Sequence, residues 1–399
     1  MTEQPLLLIL ASSLLVYGLF ARRIDHAGIS APMLLTAVGI AIGPLALQLV
    51  EVDIEGEGLQ LLAELTLAII LFTDASQVNR KQLSQYETLP IRLLAIGLPL
   101  TMLAGAAIAV PVLGISWLAA AWLAIMLAPT DAALAQSIFS DQRISQKLRH
   151  SVTVESGLND GLALPVLLFV LAMMNAGDYA WLDHTEWPLF MLQQFVVGSL
   201  IGIGCGRWGG KWLNWAAEKH ATQAVFQRMS SVALALLAYS AAEQLGGNGF
   251  IATFMAGLFL QARRTTVLSR LREFGEAEGE LLSLLVFFLF GLIFVAEAWP
   301  LWNWQQLMYA LLSLTLIRML PVLLSLSGSG LPFGHKIFLA WFGPRGIASV
   351  LYLLMAVESM GYGDRIAAYD AVFGTTVLTV LLSIVLHGMS THVWKRWPK

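Results

Sequence analysis

Charge is scarce in this chain. Only 12% of its 399 residues are Asp, Glu, Lys or Arg, against about 25% in soluble globular domains, so a water-soluble fold of this composition is excluded. Cysteine is nearly absent: the single Cys205 rules out a disulfide scaffold and any Cys-based metal site, and it leaves the compartment unspecified. There is no basic excess, since the formal net charge is -3 and the pI about 6.2, so the electrostatic footprint of a nucleic-acid binder is missing. No Lys or Arg precedes the first apolar run, Pro5 to Phe20; without a positive n-region it is read as a retained spanning helix rather than a secretory signal. None of the seven His residues stands in an H-E-x-x-H spacing. Most fall in loops or near helix ends, and His150 and His335, placed where they could sense pH, are read as solvated surface groups.

What remains is apolar. Hydrophobic residues make up 57% of the chain and the mean hydropathy is +0.72. A helix needs roughly 20 apolar residues to cross about 30 Å of hydrocarbon. Runs of that kind occupy about Pro5 to Phe20, Ile29 to Val50, Gly58 to Thr73, Leu89 to Val110, Ser116 to Phe139, Ser151 to Met174, Leu189 to Trp208, Met229 to Gln244, Asn248 to Ala262, Leu281 to Ala296, Trp304 to Leu326, His335 to Val357 and Ala371 to Val393. The expectation is an all-α polytopic membrane protein with 13 transmembrane helices, forming a single transmembrane domain over residues 1–399 without a soluble C-terminal domain.

The placement of Lys and Arg tests that count, because cytoplasmic loops hold the excess. Alternate loops carry 20 of the 23 basic residues, from Arg22 and Arg23 through Arg80, Lys81, Arg143 and Lys147 to Lys395 at the C-terminal end. The other loops hold only Arg365 and are acidic, with Glu51, Asp53, Glu55 and Glu57 in one and Asp178, Asp183 and Glu186 in another. This predicts a multi-pass cell-membrane protein, its N-terminus outside and its C-terminus cytoplasmic, with Trp117, Trp187, Trp208, Trp302 and Trp394 at the interfacial belt. Arg263 to Glu280, with mixed charges, reads as an amphipathic linker between the ninth and tenth spans.

Two basic residues, Arg318 and Arg345, fall inside spans. A charge at the bilayer centre costs about 2.5–3.5 kcal/mol even on the gentlest scale, so each should face a cavity or a partner. The natural partners of these charges are the acids Glu64 and Asp74 of the third span, Asp74 close to its inner end, Asp131 in the fifth, and Glu155 and Asp160 in the sixth. The fifth span also contains Ala128-Pro129-Thr130-Asp131 and the twelfth Phe342-Gly343-Pro344-Arg345-Gly346. Proline removes a backbone donor and clashes with the preceding turn, so both helices should break, which lipid tolerates only where the freed backbone is buried or lines a cavity. Broken segments at corresponding places in two halves mark transport sites. The spacing fits inverted six-helix repeats, about 1–174 and 229–393, joined by a linking helix at about 189–208, with helices 5 and 12 as the broken crossing pair.

In the sixth span, Glu155 and Asn159 share a helical face and Asp160 lies about 100° beyond. Hydroxyls of Thr130 and Ser156, the Asn159 amide oxygen, carbonyls near Pro129 and the Asp160 carboxylate form an oxygen set suited to a hard monovalent cation. Dehydration favours the protonated carboxyl and a bound cation favours the ionised one, so proton and cation compete for one charge. Arg stays protonated at any physiological pH, which leaves Asp160 as the candidate carrier.

The run Pro129-Thr130-Asp131, the stretch Glu155-Ser156-x-x-Asn159-Asp160-Gly161 and the break Gly343-Pro344-Arg345-Gly346 resemble the electroneutral branch of the sodium/proton antiporter family, bacterial relatives of the animal sodium/proton exchangers. The resemblance implies a homodimer in the lipid bilayer, with a core that moves like an elevator against a fixed dimerisation part. It implies a cation site of Thr130, Asp131, Ser156, Asn159 and Asp160, a structural ion pair between Glu155 and Arg318, and Arg345 compensating the helix ends at the break. Two departures stand out. Members often carry Thr-Asp-Pro where this chain has Pro-Thr-Asp-Ala, which shifts the expected unwinding by about a residue, and the long cytoplasmic tail of many relatives, with its regulatory role, is absent from this sequence. A single carboxylate in the Asn159-Asp160 pair predicts one-for-one exchange. Asp131 could be a second titrating group or could hold the broken backbone.

The expected function is therefore secondary antiport of a monovalent cation (Na+, with Li+ or K+ as alternatives) for H+, serving pH homeostasis, by a transporter rather than an enzyme. It needs no cofactor, no transition metal and no nucleic acid. A potassium-selective K+/H+ antiporter, or a cation channel or uniporter, is the alternative. Gly361-Tyr362-Gly363-Asp364 and Tyr369-Asp370 imitate the elements of intramembrane aspartyl proteases, but they lie in one loop and in reversed order. Gly39-x-x-x-Gly43 and Gly202-x-x-x-Gly206 are read as packing seams.

Overall fold

The structure is a computed structural model that describes residues 3–50, 57–77, 88–131, 134, 144–174, 187–261, 265–360 and 367–394. The described residues are helical or irregular, with no strand among them. In chain order the helices are α1 (Glu3–His26), α2 (Ala31–Ile42), α3 (Glu57–Gln77), α4 (Thr88–Leu113), α5 (Trp117–Met126), α6 (Gln146–Met174), α7 (Trp187–Glu218), α8 (Ala224–Gln244), α9 (Gly249–Leu258), α10 (Thr265–Leu289), α11 (Trp304–Leu314), α12 (Leu316–Ser325), α13 (Phe333–Trp341), α14 (Ile347–Met360) and α15 (Ala367–Trp394). Seven stretches among the described residues are long and apolar enough to cross a membrane. Each predicted span overlaps a helix. The acidic loop residues Glu51 to Glu55, the segment Gly361 to Asp364 and basic residues such as Arg80, Arg143, Arg263 and Lys395 lie outside the described residues.

Local chemistry sets many of the boundaries. Side chains of Ser30, Ser116, Asn248 and Asn303 cap α2, α5, α9 and α11 by accepting from Met33, Ala119, Ile251 and Gln306 N–H, which satisfies one of the orphan donors at each helix start. Gly114 closes α4 with φ +68°, the left-handed turn for which glycine carries no steric penalty. The proposed linker Arg263 to Glu280 is not separate: from Thr265 it is one continuous helix with the tenth span, passing through a π turn, Phe290–Phe294, into Val295–Ala298. A second π turn, Leu93–Gly97, interrupts α4. The eleventh span is divided at Thr315 (φ -116°, ψ -93°). There the Thr315 hydroxyl donates to Leu311 O at 2.6 Å, and Pro321 in the following helix has no N–H to continue the ladder.

The chain divides into two compact units. The first contains residues 1–60, 88–155 and 283–399, the second residues 61–87 and 156–282. In the first unit, Leu89, Leu93, Leu148, Val152, Val322, Leu326, Phe338 and Phe342 form a buried apolar cluster. Here α2 lies against the π turn after α10: a methyl group at Gly39 would stand 2.2 Å from Phe288 O, and one at Gly291 2.1 Å from Thr36 O. In the second unit, Phe72, Leu234, Ala235, Ala238, Ala252 and Ala256 build the core. There α7 and α9 approach through Gly202 and Gly206, where added methyls would meet Ala252 O at 2.2 Å and Ala256 O at 2.3 Å. Small residues let backbones close in where lipid offers no hydrophobic drive between helices.

Candidate functional site

The short helices create the chemistry. With a rise of 1.5 Å per residue, the 10-residue α5 and the 9-residue α13 reach only about half of a hydrocarbon core roughly 30 Å thick. Each ends in an irregular stretch, residues 127–131 after α5 and 342–346 between α13 and α14. The freed backbone groups at these ends need partners, since no water is available in the hydrocarbon.

Within the first unit the two stretches cross and supply each other. Asp131 N–H donates to Pro344 O at 2.8 Å, and the Asp131 carboxylate accepts from Ile347 N–H at 3.0 Å, at the first residue of α14. In the opposite sense, Arg345 Nη1 donates to Ala128 O at 2.7 Å and to Pro129 O at 3.2 Å, and Ser349 Oγ donates to Met126 O at 2.8 Å. A helix carries partial positive charge at its start and partial negative charge at its end. The carboxylate therefore sits at the positive start of α14 and the guanidinium at the negative end of α5. Gly346 is required by this crossing, because a methyl group there would lie 2.1 Å from Asp131 Oδ2.

Arg318, in the first turn of α12, donates through Nη2 to Glu155 Oε1 of α6, and both side chains are almost fully buried. Gly343 makes room for the arginine, since a methyl group there would stand 2.5 Å from Arg318 Nε. Thr130, Arg345 and Glu155 are likewise buried in this unit.

The division between the units falls within α6, after Glu155. Thr130, Asp131, Glu155, Arg318 and Arg345 are thus described with the first unit, and Ser156, Asn159 and Asp160 with the second. Helical spacing stacks Ser156 and Asp160 one turn apart on one side of α6, with Asn159 adjacent, and all three are buried. In the second unit the next face of α6 is bare: a methyl group at Gly157 would approach Asp74 O to 3.1 Å, and one at Gly161 the Phe254 ring to 2.3 Å. Helices α3 and α9 therefore press against the backbone beside Asp160. Elsewhere in this unit, Glu64 accepts from Tyr239 Oη at 3.2 Å, and Arg272 donates to Ser76 O at 2.7 Å, a cation at the end of α3 where the helix dipole favours one.

One group of polar residues escaped the sequence reading. Ser383, His387 and Ser390 recur at i, i+4 and i+7 along α15, and all three reach the α13–α14 break or its edge. Ser383 Oγ accepts from Arg345 N–H at 2.7 Å, His387 Nε2 lies 3.1 Å from Trp341 O, and Ser390 Oγ accepts from Trp341 Nε1 at 3.0 Å. The signal was present as polar residues at helical spacing in an otherwise apolar run, but histidines were weighed by their distance from helix ends.

Comparison with known proteins decides the family. The sequence profile described as "Sodium/hydrogen exchanger, transmembrane" matches residues 9–397. The chain belongs to the sodium/hydrogen exchanger family. Among its relatives, "K(+)/H(+) antiporter NhaP" of Alkalimonas amylolytica is 28% identical over 343 residues, covering 85% of this chain and 57% of the relative. "Low-affinity Na(+)/H(+) antiporter NhaS1" of Synechocystis sp. is 26% identical over 379 residues, covering 88% of this chain and 67% of the relative. The chain thus spans less than two thirds of the length of the NhaP relative. Among solved structures, "the sodium proton antiporter MjNhaP1 from Methanocaldococcus jannaschii at pH 8" superposes with a TM-score of 0.79 at 21% identity, over 98% of both chains, which shows a shared fold.

Proposed function

We propose that this family member is a secondary antiporter exchanging a monovalent cation for H+, one for one, with the Asp160 carboxylate as the shared carrier. The observation that carries the reading is the crossing of two broken helices, in which Asp131 and Arg345 each serve the other segment's helix end. Such breaks in a membrane protein mark ion sites, and the family membership supports the same conclusion. Asp160 is buried, so its two protonation states are balanced by dehydration against a bound cation. Ser156 and Asn159 on the same helix contribute oxygens, and Thr130 and Asp131 are assigned as ligands from the sequence resemblance. Arg318 and Arg345 are fixed charges, because a guanidinium does not release its proton at physiological pH. The same reading places the chain in the cell membrane as a homodimer, with thirteen spans in inverted repeats, the N-terminus outside, and elevator-type alternating access.

Sodium is the first candidate substrate, with lithium as an alternative. Potassium is the second reading, favoured by the K(+)/H(+) exchange for which the Alkalimonas relative is named. The test is proton flux in everted vesicles or proteoliposomes as Na+, Li+ and K+ are added in turn, comparing the unmodified protein with Asp160→Asn. The expected result is cation-dependent proton movement that the substitution abolishes. Normal exchange by Asp160→Asn would remove the carboxylate from its assigned role, and cation movement without coupled proton flux would indicate a channel or uniporter.

A further inference from the structure

The stripe Ser383, His387 and Ser390 ties both sides of the α13–α14 break to one continuous helix. Trp341, the last residue of α13, is held through its carbonyl by His387 and through its indole by Ser390. Arg345, within the break, is held through its backbone N–H by Ser383. For a neutral imidazole the hydrogen-bond partners fix the tautomer. A carbonyl only accepts, so Nε2 carries the hydrogen that points at Trp341 O. In a neutral ring Nδ1 is then an acceptor. It lies 3.1 Å from Ser383 O, which has nothing to donate, and 3.2 Å from Ser383 Oγ, which has. The chain of donors therefore runs from Arg345 N–H to Ser383 Oγ, from Ser383 Oγ–H to His387 Nδ1, and from His387 Nε2–H to Trp341 O. Every member is satisfied, and His387 is only 1% exposed.

We propose that Ser383 and His387 are positioning residues that set the length and register of the break, and through it the placement of the Arg345 guanidinium on the Ala128 and Pro129 carbonyls. Arg345 is anchored at two points of its own residue. Its backbone is fixed to α15 by Ser383, and its side chain reaches the end of α5. Loosening the first anchor lets the second drift, and the α5 break with Thr130 next to Pro129 drifts with it. The inference rests on the proposed function in one respect: Thr130 as a cation ligand turns a slack break into a weaker cation site.

The test has two independent readouts on the full-length protein. In proteoliposomes, His387→Ala and Ser383→Ala are expected to raise the apparent KM for the transported cation about tenfold, equivalent to about 1.4 kcal/mol, with the maximal rate per folded transporter retained. His387→Gln can place an amide N–H near the former Nε2 and should recover most of the affinity. In hydrogen–deuterium exchange, the peptide containing residues 342–347 should exchange faster in the two alanine variants than in the unmodified protein. An unchanged KM together with unchanged exchange in this peptide would overturn the proposal, as would an equal loss of affinity in His387→Gln and His387→Ala. Faster exchange with an unchanged KM would also overturn the link from the break to the cation site. Absence of any cation-coupled proton flux in the unmodified protein counts against the proposed function alone, and the exchange measurement then still judges the clamp.

Discussion

Removing Arg318 tests the energetics of the buried charges most directly. Glu155 Oε1 is bound by Arg318 Nη2, and both side chains are no more than 3% exposed. The other carboxylate oxygen, Oε2, has no hydrogen-bond partner among the described residues, so among them Arg318 alone is hydrogen-bonded to this charge, and the buried Arg345 adds an electrostatic attraction without a hydrogen bond. Breaking a buried pair by deleting one partner costs about 3–5 kcal/mol, whereas replacing both by apolar or neutral groups of similar volume is close to neutral. Arg318→Met alone is therefore expected to lower the folded-to-unfolded ratio by roughly two to nearly four powers of ten, and Arg318→Met with Glu155→Gln to recover most of that loss. The assay is thermal unfolding of detergent-purified protein, followed by tryptophan fluorescence and by size-exclusion profile, for the two single variants and the double. A coupling energy of roughly 2 kcal/mol or more is predicted. Single-variant effects that simply add, within about 0.5 kcal/mol, would show that the pair is not energetically linked and would refute the reasoning.

Other outcomes follow from close contacts and from charge. Gly161→Ala drives a methyl group into the Phe254 ring at 2.3 Å and should destabilise by about 1–3 kcal/mol; Phe254→Leu in the same chain should restore much of the unfolding temperature, and a silent Gly161→Ala would contradict the packing. Gly346→Ala collides with Asp131 Oδ2, displacing the carboxylate from the start of α14, and transport should fall at least tenfold while membrane expression is retained; wild-type rates would disprove the tight crossing. One-for-one exchange predicts that proteoliposome transport rates do not change when a potassium–valinomycin potential is imposed in a sodium assay, and a voltage-dependent rate or reversal point would exclude that stoichiometry.

The membrane class was legible because composition acts over hundreds of residues, and the breaks were legible because proline acts locally and always removes a donor. Pro129 and Pro344 announced both irregular stretches. Pro165, in contrast, sits inside the uninterrupted α6, so proline alone does not specify a break. The π turn at Phe290 carried no proline signal, and near the π turn at Leu93 and the division at Thr315, Pro99 and Pro321 lie beyond the residues that change their winding, so nothing in an apolar run reveals where a helix changes its winding. Side-chain partners were hidden for a related reason. Helices that are apolar all round lose the amphipathic stripe from which a facing neighbour is read, so the sequence showed that Arg345 needs compensation without showing that the Ala128 and Pro129 carbonyls receive it. His387 was illegible because a histidine deep in a helix, held by a serine one turn before it and by a carbonyl 46 residues away, leaves no motif.

The mutual service of Asp131 and Arg345 also orders events in time. The bond from Arg345 to Ala128 spans 217 residues of sequence, and chains grow at roughly 5–20 residues per second. The end of α5, with its unpaired carbonyls and a carboxylate, is therefore synthesised roughly ten to forty seconds before the group that neutralises it. During that interval α5 is a half-length, polar-ended segment that hydrocarbon rejects. The hydrogen bonds that satisfy this end in the finished protein become available only when the far segment has been made.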